Sequence, residues 1–117
     1  MLTVLVLKTC DTCKKAQKWL DAEGIAYTPR DVRSDQLSAA ELSDLMAKTD
    51  WSQLVNKSST TWRALDDSVK ADLDEKAALS LLSEHPTLMK RPVFIKDDKV
   101  VVGFRPAQQA DVKALAG

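Results

Sequence analysis

Apolar and polar residues follow two rhythms along this chain, and the switches between them mark its elements. Leu2 to Leu7 is an apolar run broken only by Thr3; with Met1 ahead of it, it reads as a buried first strand. From Thr12 the period lengthens. Cys13, Ala16, Trp19 and Leu20 share one face of a helix over about 12–23. Glu23 ends that stripe and Gly24 is a natural stop. Ile25-Ala26-Tyr27-Thr28 predicts a second strand, running into polar Pro29-Arg30-Asp31-Val32. Strand, helix and strand in parallel would make a right-handed crossover.

The middle of the chain is helical. Ser38-Ala39-Ala40-Glu41 is a capping box, and the helix it opens continues through Leu42, Leu45 and Met46. A second segment surrounds Trp51 to Val55, followed by polar Asn56 to Thr60 and the block Thr61-Trp62-Arg63-Ala64-Leu65. A helix over 74–84 turns Ala77, Ala78, Leu81 and Leu82 inward, and His85-Pro86 ends it. Lys90 to Lys96 predicts a strand with Pro92 near its start, where proline is tolerated. Asp97-Asp98 and Lys99 turn it into Val100 to Phe104, a hairpin partner. Arg105-Pro106 opens a last helix with Val112 and Leu115 on its core face. The order is βαβ, a helical insertion over about 35–88, then ββα, an α/β pattern in one domain over 1–117.

Composition removes several function classes. Lys plus Arg and Asp plus Glu number 17 each, so no net charge draws the chain to nucleic acid or an anionic membrane. Two cysteines and one histidine make a poor zinc site, and the N-terminal apolar run is too short to span a bilayer. We expect a cytoplasmic monomer, with no metal, no tightly bound cofactor, and no direct contact with nucleic acid or membrane. In that compartment a CxxC pair is catalytic or redox-sensing more often than structural.

Cys10-Asp11-Thr12-Cys13 stands where the first strand gives way to the helix. Free N–H groups and the helix dipole both favour thiolate at that point, and thiolate is the attacking form in disulfide exchange. The dipole contributes roughly 1 kcal/mol, too little to ionise a cysteine of ordinary pKa about 8.5 at neutral pH. A cation must return to this helix end. Cys10, at the helix start, is the candidate nucleophile. Cys13, on the apolar face of the first turn, is a candidate resolving or sensing thiol, against the simpler reading of a small core residue. The other prominent residues have structural readings. Trp19, Trp51 and Trp62 read as packing, His85 as surface, and Asp66-Asp67 and Asp72 to Glu75 as solvated acidic stretches.

Taken together, Cys10-Asp11-Thr12 with Lys14-Lys15-Ala16, Thr60 to Leu65, Lys90-Arg91-Pro92-Val93 and Gly103-Phe104-Arg105 resemble a known family. The chain is similar to the arsenate-reductase-like branch of the thioredoxin fold, which includes Spx regulators and, nearest in these motifs, YffB-type proteins. The resemblance covers essentially the whole chain. It implies a mixed four-stranded, glutaredoxin-like sheet with Cys10 as nucleophile, Arg91 and Arg105 as anion-holding arginines, and a cis Pro92 facing the cysteine. Thr12, Asn56, Lys57 and Pro92 become candidate substrate-binding residues. The first anion-holding arginine of arsenate reductases should fall near position 56, where this chain has Asn56 followed by Lys57. A neutral amide supplies no bidentate cationic fork.

Three functions follow from that resemblance. The first is a thiol-dependent reductase using glutathione as reductant or co-substrate, with glutathione or a thiol protein as partner. The second is an arsenate reductase acting on the oxyanion. The third is a Spx-like redox-switched regulator that binds the RNA polymerase alpha subunit.

Overall fold

The computed structural model describes residues 2–57, 59–71 and 73–116. Met1, Ser58 and Asp72, read above into the first strand, a polar loop and an acidic stretch, lie outside them, as does Gly117. In chain order the elements are β1 (Leu2–Val6), α1 (Asp11–Ala22), β2 (Tyr27–Asp31), α2 (Ala39–Lys48), α3 (Trp51–Leu54) and α4 (Thr60–Arg63). Then come α5 (Asp67–Ala71), α6 (Glu75–Glu84), a 3₁₀ turn at Pro86–Leu88, β3 (Val93–Lys96), β4 (Lys99–Val102) and α7 (Pro106–Ala116). The chain divides into two compact units, Met1–Asp35 with Arg91–Gly117, and Gln36–Lys90.

The first unit is a four-stranded mixed sheet of order β2-β1-β3-β4. β1 pairs in parallel with β2 and antiparallel with β3, and β3 pairs antiparallel with β4. The short apolar strands and amphipathic helices between them give the thioredoxin-like architecture that the motifs imply. One sheet face presents Leu2, Val4, Val6 and Phe94 to Cys13, Ala16 and Leu20 of α1 and to Val112 of α7, all buried. Each Leu, Val and Phe side chain among them contributes roughly 1.5–3 kcal/mol on leaving water. Trp19 and Phe104 close the cluster edge to face, their ring centroids 5.6 Å apart at 71°. α1 ends where the sequence stops it. Gly24 takes φ 68°, its N–H donates to Asp21 O, and the N–H of Ile25 donates to Leu20 O, a Schellman closure.

β2 lies further along than the apolar pattern indicated. Ile25 and Ala26 are spent on the exit from α1, and the strand takes up Pro29, Arg30 and Asp31. Proline is tolerated there because β2 is the sheet's edge. The hairpin is also tighter than expected. β3 starts only after Pro92, Lys99 joins β4 opposite Lys96, and Asp97-Asp98 alone make the turn, Asp97 at φ 55°.

The second unit is built from short, individually capped helices. Ser38 and Glu41 form the reciprocal capping box of α2. Asp50, Ser59 and Asp74 each accept a backbone N–H at the start of α3, α4 and α6. Leu42, Leu45 and Met46 of α2, Leu54 of α3, and Ala78, Leu81 and Leu82 of α6 are buried, and α6 packs on α2 and α3. Ala77 is only half-buried, and α5 was not anticipated. Lys90 N–H donates to Leu54 O (2.7 Å) and Asn56 N–H to Leu88 O (2.9 Å), flanking a Val55–Met89 bridge. His85, expected at the surface, is half-buried as the C-cap of α6, its N–H donating to Leu81 O.

Candidate functional site: the cysteine turn

The strand directions gather the candidate chemistry of the first unit at one end of its sheet. β1 ends at Val6, and Leu7 to Cys10 form a turn closed by a hydrogen bond from Cys10 N–H to Leu7 O (3.0 Å). Antiparallel β3 enters at the same end. Val93 pairs with Leu5, so Arg91 and Pro92 precede it beside the turn. β4 leaves there too, Val102 opposite Val93, and Gly103 N–H donates to Pro92 O (2.9 Å) before Phe104 and Arg105. Gly103 is buried at φ 99°, a backbone state that glycine takes at no steric cost.

Cys10 is the N-cap of α1. Its backbone is extended (φ −88°, ψ 112°), and its sulfur accepts the N–H of Cys13 at 3.3 Å, the place a Ser or Asp oxygen usually takes. Both cysteines are free thiols, Cys10 half-buried and Cys13 with no exposed surface. Burial, above all, pushes the Cys13 thiol up to about 12, and donation of its S–H to the Cys10 sulfur and repulsion by Cys10 push the same way. The Leu7 backbone and the Arg91 charge oppose that rise. Cys13 is therefore a neutral thiol at physiological pH, and the Cys10 sulfur receives the backbone N–H of residue 13.

Arg91 is half-buried, with Nε shut off from solvent, and its charge is felt at Cys13. The Arg91–Pro92 peptide bond is cis, the isomer that the resemblance implies. Thr12 is exposed in the first turn of α1, between the cysteines. Arg105 leaves the same end of the sheet as an exposed residue heading α7, its backbone N–H donating to Gln108 Oε1 (3.0 Å).

Asn56 and Lys57 belong to the second unit. Asn56 is half-buried and its carbonyl accepts from the Ser59 hydroxyl at 2.8 Å. Lys57 is exposed with Nζ 5.7 Å from the Trp62 ring centroid, and Lys70 Nζ lies equally close to that ring. Trp62 is thus a half-buried indole flanked by two ammonium groups. Among the described residues no cluster of His, Cys, Asp and Glu could hold a metal ion, and no helix is long and apolar enough to cross a membrane.

One residue at this end escaped the sequence reading. Asp31 closes β2, and its carboxylate accepts from the backbone N–H groups of Lys8 (3.0 Å), Arg33 (2.8 Å) and Ser34 (3.1 Å). The N–H of Ser34 and those of Arg33 and Lys8 hold it below the usual carboxylate range. An aspartate ahead of Val32-Arg33-Ser34 is an Asx-turn signal, masked here by the assignment of residues 29–32 to a polar tail.

A thiol at a helix N-cap, a second thiol one turn on, a half-buried arginine and a cis-proline beside them define a thioredoxin-like thiol site. Over residues 5–112 the chain matches the ArsC family, and it belongs to that family. It is 48% identical over 104 residues to an uncharacterized protein of Haemophilus influenzae, covering 89% of this chain and 91% of the other. It is 26% identical over 106 residues to the global transcriptional regulator Spx of Bacillus subtilis, covering 89% and 80%. Among solved structures, a YffB protein superposes with TM-score 0.88 at 36% identity, covering 99% of this chain and all of that one. An arsenate reductase (ArsC) related protein of Brucella melitensis superposes with TM-score 0.80 at 38% identity, covering 97% and 95%.

Proposed function

We propose that this protein is a cytoplasmic thiol–disulfide reductase that works through Cys10 and takes its electrons from glutathione. The observation that carries the reading is the division of labour between the two sulfurs. Cys10 accepts a hydrogen bond at a helix N-terminus, while Cys13 is kept protonated behind it. The Cys10 thiolate attacks one sulfur of a substrate disulfide, forming a mixed disulfide and expelling the other sulfur as a thiolate. One glutathione thiolate then attacks the Cys10 sulfur of the mixed disulfide and expels the second substrate thiolate, leaving Cys10 glutathionylated. A second glutathione thiolate attacks the glutathione sulfur, releasing oxidised glutathione and restoring the Cys10 thiolate. With its thiol near 12, Cys13 is ionised to only about one part in 10⁵ at neutral pH, so its role is to donate to Cys10 rather than to attack. Arg91 and Arg105 hold the carboxylates of the thiol partner, and Thr12 and Pro92 border the sulfur it meets.

The test is reduction of a small mixed disulfide by glutathione, coupled to glutathione reductase. The wild type should turn over, Cys13→Ser should keep most of the rate, and Cys10→Ser should lose it. Folded wild type without turnover overturns the reading.

Two relationships favour other outcomes. Kinship to Spx regulators supports a redox-switched adaptor, which would bind the polymerase alpha subunit and show no turnover. Kinship to arsenate-reductase-related structures supports oxyanion reduction. Arsenate turnover should nonetheless be slow, because Asn56 stands where the resemblance implies an arginine. A missing charge-assisted contact costs about 1.5–3 kcal/mol, or about ten- to a hundredfold in rate. Asn56→Arg should raise arsenate reduction about tenfold or more in a glutathione–glutaredoxin assay. Robust wild-type turnover would remove Asn56 from the explanation.

A further inference from the structure

We propose that Asp31 is a positioning residue for Cys10, its carboxylate clamping the turn that presents the sulfur. The proposal rests on the reading of Cys10 as nucleophile and adds a residue from another strand to that machinery. One oxygen, Oδ2, accepts the N–H of Lys8, the second residue of the Leu7–Cys10 turn. The other, Oδ1, accepts from Arg33 and Ser34 in the loop beyond β2. The side chain therefore ties two segments that no strand pairing joins, one step past the point where Val32 N–H donates to Val6 O (3.0 Å).

The turn needs such a tie. Lys8 and Thr9 are exposed, so burial does not anchor them, and the cysteine follows two residues after the clamped amide. Cys10 Sγ must also stay within reach of Cys13 N–H, now 3.3 Å away, for the helix end to act on it. A reacting group serves its purpose only when held within about 0.5 Å of the productive position, and a two-residue lever converts a loose Lys8 into a displaced sulfur. The Asp31 charge acts in the opposite sense, since a nearby anion disfavours a thiolate. Removing the charge and removing the clamp thus have different signatures.

The experiment follows alkylation of Cys10 by iodoacetamide across pH, with the label mapped by mass spectrometry on the full chain. It compares wild type, Asp31→Asn, Asp31→Ala and Asp35→Ala. Asn and Ala both remove the charge, but Asn keeps an oxygen that can accept an amide. Asp31→Ala should therefore alkylate about three- to tenfold more slowly than Asp31→Asn at pH 7, the factor that one or two lost hydrogen bonds carry. Its profile should move to higher pH. Asp35→Ala alters the same loop, where Asp35 pairs with Arg30 at 3.4 Å, and should match the wild type. Equal rates for the Ala and Asn variants, or faster alkylation in Ala than in Asn, would overturn the clamp. If Asp31→Ala does not fold, Asp31→Leu, which keeps the shape of the side chain without an acceptor, takes its place against Asp31→Asn, with the same slowing expected and equal rates fatal. Alkylation needs no glutathione, so a wild type without glutathione turnover leaves this result standing.

Discussion

The two ends of the four-stranded sheet are built from similar residues and differ in what those residues have left to do. At the end where β1 begins, the charges are consumed by the scaffold. Lys96 Nζ donates to the Leu115 carbonyl near the end of α7 at 2.7 Å. Lys113 pairs with Glu23 at 3.4 Å and lies 6.0 Å from the Trp19 ring centroid. An open hollow of about 500 Å³ lies there, with Leu2, Glu23, Ile25, Lys96 and Lys113 in its wall, yet among the described residues it brings no nucleophile to its cations. The other end has a sulfur at a helix N-cap and an arginine whose charge reaches Cys13. Size and charge do not locate chemistry here; a nucleophile set against oriented donors does.

Removing the nucleophile breaks the comparison most severely. Cys10→Ser should abolish thiol exchange, by more than about 10³-fold, because a hydroxyl at ordinary pKa is no nucleophile toward disulfide sulfur. The serine can still accept the Cys13 N–H, so the fold should hold. Reduction of a mixed disulfide, with circular dichroism as the structural control, checks it. Residual turnover near wild type would place the chemistry elsewhere.

Arg91→Ala comes next. It should weaken half-saturation by glutathione about ten- to a hundredfold, since a desolvated guanidinium–carboxylate contact is worth about 1.5–3 kcal/mol. Lys restores charge but not the planar fork, so Arg91→Lys should recover only part. Unchanged saturation in a folded variant would assign Arg91 to the scaffold, like Lys96.

How much of this was legible follows the same division. The sheet was readable because runs such as Leu2 to Leu7 and Val93 to Ile95 have no other way to be buried, and Gly24 and Pro106 punctuate the helices unambiguously. β2 was misplaced because its position is set by pairing with β1, register Val4 to Pro29, rather than by its own apolar content. In the insertion, four-residue helices such as α3 and α4 are too short to show a period, and only their caps announce them. At the site, the cysteine turn could be read from its place between strand and helix, whereas Arg91 came from the family resemblance. Asp31 could not be read, since its partners are backbone N–H groups up to 23 positions away, which local pattern does not reveal.

Cys13 sharpens the contrast through pH. Its thiol rises from the ordinary 9.0 to about 12 in the folded chain. Below 9.0 both states are protonated and the full benefit of burial is present. Between these values the unfolded chain loses its proton and the folded chain keeps it, so stability falls as pH rises. Denaturant midpoints from pH 7 to 11 should therefore drop more steeply for wild type than for Cys13→Ala, which has no thiol to ionise. Parallel curves would mean that Cys13 is far easier to ionise than its burial implies.

The smallest effect belongs to the end without a nucleophile. Lys96→Ala removes the hydrogen bond to Leu115 O and a cation from the C-terminal end of a helix dipole, where it is favourable. A hydrogen bond from a half-buried ammonium to a carbonyl nets about 1 kcal/mol, so Tm should fall by about 3–6 °C for a chain of this length. Cys10 alkylation should be unchanged, because the substitution lies where β3 ends, whereas the cysteine turn lies where β3 begins. Thermal denaturation and mapped alkylation on one sample measure both quantities. A slowed Cys10 would show that the two ends are coupled through the sheet, and the division of labour between them would fail.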